Sequence, residues 1–369
     1  MAVFTAIAGS IVGAIATAGT IAGSVTLFNI AVGVVATGLG AATAKLLGVF
    51  DPPDANGRDP GVKIQLPPGT DNKVPRMYGR NYTGGIITDA EIKNSNKTMA
   101  YCIVISEYND NDVWTVNDIY RGDSKLVFQP AQPHILARFD DPNSTSTTRV
   151  DGKMRVRVYA GGSEASNQIF PSTGTAQAAY SVFNNWTSAN TMEDLVFAIV
   201  ELDYEPEEQL TGLGAITFDL SNSLNDPANV LLDYLTNDRY GAGLSSDQVD
   251  SVSLTALAGY ANQQVDYLDA SNTTQQHNRY QVDGALSMFD TAKANINKIC
   301  QAAGCWFTFN NKTGQFGVVV NRQATQAEKD AAYEFTDHNI VSSLAITSTE
   351  LFSLYNGLEV EYASVNQRD

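Results

Sequence analysis

Residues 74–88 read VPRMYGRNYTGGIIT, and the fold turns on them. The stretch reads as a strand, a tight turn and a second strand. Val74 and Met77 flank Pro75, which lacks an amide hydrogen and so belongs at a strand start or edge. Gly79 and the pair Gly84-Gly85 can take positive φ, and Ile86-Ile87 resume an apolar run.

Downstream the same grammar repeats. Residues 98–108, TMAYCIVISEY, form a long apolar strand, and 109–112 a polar turn. Residues 113–120 alternate, and Arg121-Gly122-Asp123 turns the chain into 125–128. Asp110-Asn111-Asp112 lacks the glycine and distal glutamate of a calcium loop and reads as a hairpin turn. Arg121-Gly122-Asp123 spells a cell-adhesion tripeptide, but a turn explains it as well. Residues 153–159, KMRVRVY, alternate, and 194–204, DLVFAIVELDY, return to the long apolar type. The irregular stretch 128–192 is read as an insertion between strands of one barrel, formed by 74–127 and 193–225.

The period changes at Asp226. This residue can cap a helix with Pro227 at its first position, and Val230, Leu231, Tyr234 and Leu235 make the apolar face. Ser253 is expected to cap a second helix, with Leu254, Leu257, Ala258, Ala261 and Val265 at helical spacing. A third helix over 289–303 uses Phe289, Ala292, Ile296, Ile299 and Ala303, closed by Gly304. A hairpin follows through 306–320. The end, 344–362, is strand-like and has no closing element, which leaves open a polypeptide continuing past Asp369.

Upstream, 50–69 carry five prolines and three glycines and read as an extended tether, so that 51–73 form a linker. Residues 1–44 contain no charge, and the first is Lys45. This exceeds the roughly 20 residues of a spanning helix. Gly9 and Gly13, then Gly19 and Gly23, are four apart, which lets helix backbones approach closely. Two readings stay open for the helical segment 1–50: a membrane anchor, or a helix buried within an oligomer. No basic residue precedes the apolar run, which disfavours a secretory signal and favours the oligomer.

The net charge of −17 opposes direct binding of nucleic acid. Cys102, Cys300 and Cys305 are expected as buried thiols, and His134, His277 and His338 offer no zinc ligand set. No nucleophile elbow, phosphate-binding loop, dinucleotide fingerprint or zinc-protease motif is present, so no enzyme, cofactor or metal is expected. Glu201, Asp203, Glu205, Glu207 and Glu208 cluster; a glycosidase pair is the sharp reading, a solvated strand edge the plain one.

Pro75, Tyr78, Gly79, Arg80 and Gly84 form a P-x-x-Y-G-R-x-x-x-G element that resembles one near the start of phage tail hub and central tail-tip proteins. A second resemblance lies in 231–243, LLDYLTNDRYGAG: a helix ending in T-x-x-R-Y-G-x-G at Thr236, Arg239, Tyr240, Gly241 and Gly243. The helix ending at Gly304 with its hairpin is a third, so the likeness covers about 74–322. It implies an α+β, β-rich fold: two related β-barrels, one inserted in the other, then α/β hub domains over 226–369. It implies a homotrimer at the tail tip of a virion, made in the host cytoplasm, that adapts a sixfold tube to a threefold tip and helps close or open the DNA channel at host attachment. Partners would be distal tail or tube proteins, a tape measure protein, tail fibres or other tip proteins, and a host membrane during ejection. The alternative, carried by 1–44, is a membrane-anchored β-rich surface or secretion-apparatus protein.

Overall fold

The computed structural model describes residues 72–122, 124–128, 152–172, 174–206, 211–269, 271–336 and 338–340, the backbone of 137–140, and the isolated positions Gln65 and Pro68. The expectations for 1–50, including Gly9, Gly13, Gly19 and Gly23, and for 344–362 lie outside these residues. Two compact units divide between Val319 and Val320.

The first unit is built on two five-stranded sheets. One contains β3 (Ile86–Lys93), β4 (Thr98–Glu107), β8 (Met154–Ala160), β9 (Gln168–Phe170) and β10 (Leu195–Asp203), in the order β3-β4-β10-β8-β9. The other contains β2 (Arg80–Thr83), β5 (Trp114–Arg121), β6 (Ser124–Phe128), β7 (Ala137–Asp140) and β11 (Ile216–Asn222), in the order β2-β11-β5-β6-β7. They share one apolar core. Ile103, Ile105, Met154, Val156, Val158, Val196, Ala198 and Val200 from the first sheet meet Trp114, Ile119, Leu126, Ile216, Phe218 and Leu220 from the second.

The β-rich class expected from the sequence is what the chain adopts, but among the described residues neither sheet closes into a barrel. The stretch expected as an inserted barrel, 128–192, feeds both sheets. β7 pairs with β6, and β8 pairs with β10 from Met154↔Leu202 to Ala160↔Val196. The long apolar runs of β4 and β10 have a physical cause in this placement. Both strands are central, so both of their faces are covered. Val196, Ala198 and Val200 face the other sheet, while Phe197 and Ile199 pack under Ala179, Val182 and Phe183 from 171–192.

The helical part follows β11. α1 (Pro227–Thr236) is capped by Asp226, whose side chain accepts from Asn229 N at 3.0 Å, as its sequence dictates. α2 (Ser251–Ala261) starts two residues before the expected Ser253. Asp250 caps it instead, accepting from the amides of Val252 and Ser253, while the Ser253 hydroxyl donates back to Asp250 O. Val265, expected on that helix, lies in β12 (Gln264–Leu268), which pairs with β13 (Thr274–Asn278) in a ribbon the periodicity did not announce. β14 (Gly284–Leu286) pairs with β1 (Arg76–Tyr78). α3 (Ala292–Ala302), capped by Thr291, leads into β15 (Cys305–Asn310) and β16 (Gln315–Val320).

In the second unit, α4 (Gln326–Asp330) has a capping box: Thr325 Oγ1 accepts from Glu328 N, and the Glu328 carboxylate accepts from Thr325 N and from Arg322. Among the described residues no helix is long and apolar enough to cross a membrane.

Candidate functional site

The 74–88 element does not form a free hairpin. Its first strand, β1, pairs with β14, and its second, β2, pairs with β11. Gly79 makes the corner between them at φ +59°, where a side chain would strike Asp283 Oδ1 and Val282 O. Its amide donates to Leu224 O, and its carbonyl accepts from Asn222 N. β1 is thus stitched to the sandwich on one side and to the helical part on the other.

The side chains of β1 then enter a buried knot. The Arg76 side chain is wholly buried. Its guanidinium grips Asp112 through both terminal nitrogens, at 2.5 and 2.9 Å, and reaches Asp233 Oδ2 at 3.2 Å. The rings of Tyr78 and Tyr240 lie with their centroids 4.8 Å from it, so the cation is held by aromatic rings as well as by carboxylates. Asp233, on α1, accepts from four donors: Arg76, Tyr78 OH at 2.8 Å, Tyr240 OH at 2.8 Å and Asn109 Nδ2 at 2.8 Å. Asp112 accepts further bonds from Asn109 N and Trp114 Nε1.

Arg239 extends the knot to the surface. It donates to the carbonyls of Tyr108 and Asp194 and ion-pairs with Glu107 and Asp194 at 2.8 and 2.6 Å. Burial alone would lower the Arg76 pKa, but Asp112 raises it above the ordinary arginine value. Burial and then the Asp233 charge push the Tyr78 hydroxyl up, and burial raises Tyr240 and Glu107. The knot therefore stays charged at its cation and neutral at its phenols through the physiological range. A carboxylate already accepting four donors has used its acceptor directions. The arrangement serves as a clamp between β1, the 109–112 turn and α1.

Of the motif residues, Tyr78, Arg239 and Tyr240 meet in this clamp. Pro75 stands at its edge, where its carbonyl accepts from Glu107 N at 2.9 Å. Arg80 lies apart and forms a second fork with buried Asp219, Nε–Oδ1 2.9 Å and Nη2–Oδ2 2.6 Å. Gly84 turns β2 into β3 against the Gln65 backbone, and the Thr236 hydroxyl donates to Leu232 O of its own helix. Gly241 and Gly243 shape the exit from α1. Gly85, not its neighbour Gly84, has positive φ.

Sequence reading missed Arg76, Asp112 and Asp233, which carry most of the clamp. In the sequence, Asp112 reads as a turn residue and Arg76 as an unspecified motif position. The usable signal was an arginine in a strand whose neighbours Met77 and Tyr78 are buried. The acidic run is also corrected. Glu201 is only 8 % exposed and is paired with Arg157 at 2.8 Å, Lys93 at 3.1 Å and Arg155 at 3.6 Å, rather than lying on a solvated edge. Asp203 takes a fork from Arg155, and Glu205 pairs with Lys153. Glu207 and Glu208 lie outside the described residues. His277 is exposed in β13 and His338 is exposed; among the described residues no cluster of acidic, His and Cys side chains is placed to hold a metal.

No protein-family model matches this chain, and no curated protein matches it. Among solved structures it is similar to a chain of the "Virion of native gene transfer agent (GTA) particle", with 13% identity and a TM-score of 0.37. The match covers 73% of this chain and 56% of that one, so the chain spans little more than half the length of the structure it matches.

Proposed function

We propose that the chain is a structural component of a phage-like virion, the hub at a tail tip. Its two-sheet sandwich and helical part would form a homotrimeric ring that adapts a sixfold tube to a threefold tip and helps gate DNA passage. What carries the reading is the meeting of two motif elements at one carboxylate. Tyr78, from the P-x-x-Y-G-R element, and Tyr240, from the R-Y-G-x-G element, both donate to Asp233. Elements distant in sequence that build one rigid junction suit an assembly part whose task is to hold shape. The distal tail or tube protein, the tape measure protein and the tail fibres are the proposed partners, and the clamp is assigned no catalytic role.

Size-exclusion chromatography with light scattering tests this on a chain begun at Val62, without detergent. A trimer, with rings in negative-stain images, is the expected result. A monomer that no dilution or salt series changes would count against the hub. Association only in the full chain, and only with detergent or vesicles, would favour the anchored surface protein instead.

A further inference from the structure

The end of α3 brings two thiols together. Ala303 and Gly304 close the helix with bonds to Ile299 O at 3.0 Å and Gln301 O at 3.3 Å, and Gly304 reverses the chain at φ +59°. In a turn of this kind the residue two beyond the cap packs on the third residue from the helix end. Those positions here are Cys305 and Cys300. Both side chains are buried free thiols, and the turn sets them on the same side of the helix end. We propose that Cys300 and Cys305 are a redox couple that a hydroperoxide closes into an intrachain disulfide, tying the end of α3 to β15. The inference rests on this turn and is independent of the virion reading.

The step balances. The Cys300 sulfur attacks the outer oxygen of the hydroperoxide, the O–O bond breaks, an alcohol leaves and Cys300 becomes a sulfenic acid. The Cys305 sulfur then attacks Cys300, the S–S bond forms and water departs. Two thiols lose two electrons, and their two protons leave in the alcohol and the water. Attack by Cys305 in place of Cys300 gives the same disulfide. Cys102, wholly buried in β4, is the internal control.

The full-length chain is treated natively with tert-butyl hydroperoxide, unfolded, alkylated and digested with trypsin. Cys300 and Cys305 fall in one tryptic peptide, 299–312. That peptide is expected unalkylated and two hydrogens lighter, with Cys102 fully alkylated and dithiothreitol restoring both thiols. In Cys305→Ser, dimedone should trap a sulfenic acid at Cys300. Full alkylation of 299–312 after treatment, loss of the Cys102 thiol at the same rate, or disulfides between chains would each overturn the couple. The wild-type peptide decides the matter even if the variant fails to fold.

Discussion

Arg76 shows how much one residue can hold. Its charge is buried where solvent cannot compensate it, so its partners must. Asp112→Ala should therefore lower stability by about 3–5 kcal/mol, because it strands a buried guanidinium. Adding Arg76→Met should recover on the order of 1 kcal/mol, since the stranded charge is gone. Urea unfolding of the two singles and the double checks this; strict additivity would mean the pair is uncoupled. Gly241 teaches a different lesson. A glycine directly after the Arg239-Tyr240 turn suggests positive φ at Gly241, but the left-handed residue is Gly243, at φ +65°. Gly241 is required because a Cβ would sit 2.1 Å from Tyr234 O and 2.6 Å from Asn237 O, both backbone. At Gly243 a Cβ would meet only ordinary van der Waals contact, with Asp238 Cα at 3.7 Å. Gly241→Ala should thus cost more, about 2–3 kcal/mol through the clash, against about 1 kcal/mol of backbone strain for Gly243→Ala. Melting curves for the two variants give the order, and the reverse order would refute this account.

At the scale of elements, β8 and β10 carry a ladder of charges on the face that 171–192 covers only in part. Burial raises the Glu201 carboxyl, but the Arg157 hydrogen bond and the charges of Arg157, Arg155 and Lys93 outweigh it and hold the group below its ordinary value of 4.5. A carboxyl with a depressed folded value contributes stability above its unfolded value, and the contribution is lost as pH falls through the folded one. Glu201→Gln should cost roughly 1–3 kcal/mol near neutrality. Its deficit against wild type should shrink as pH drops below about 4.5. Urea midpoints for both proteins from neutral to acid pH measure this; a deficit that stays constant with pH would show that the Glu201 charge does not matter.

For the whole molecule, the clamp and the β1–β14 pairing join the sandwich to the helical part, so a substitution at Arg76 should loosen both. The proposed assembly role adds a prediction for the uncharged N-terminal run, where Gly9, Gly13, Gly19 and Gly23 are spaced for close helix packing. Replacing Gly13 and Gly19 by Leu should block tip assembly while the body from Val74 onward keeps its melting behaviour. Intact tips seen by electron microscopy with the double variant would sink that packing role.

The sequence alone determined what short-range chemistry determines. Strand runs such as β4 and β10, the Asp226-Pro227 start of α1, and Gly304 at the end of α3 all follow from side-chain period and local backbone preference. Capping was legible to within a few residues, and Asp250 displaced Ser253 because its carboxylate reaches two free amides at once. The ion-pair partners were not legible. Alternation along β10 told that Glu201 and Asp203 share a face, but not that Arg155 and Arg157 of β8 lie beside them. Nor does any local pattern join Arg76, Asp112 and Asp233, which come from a strand, a turn and a helix. Tertiary structure alone decided those contacts, because burying a charge is favourable only where the rest of the chain brings its counter-charge, and that pairing is a property of the folded whole.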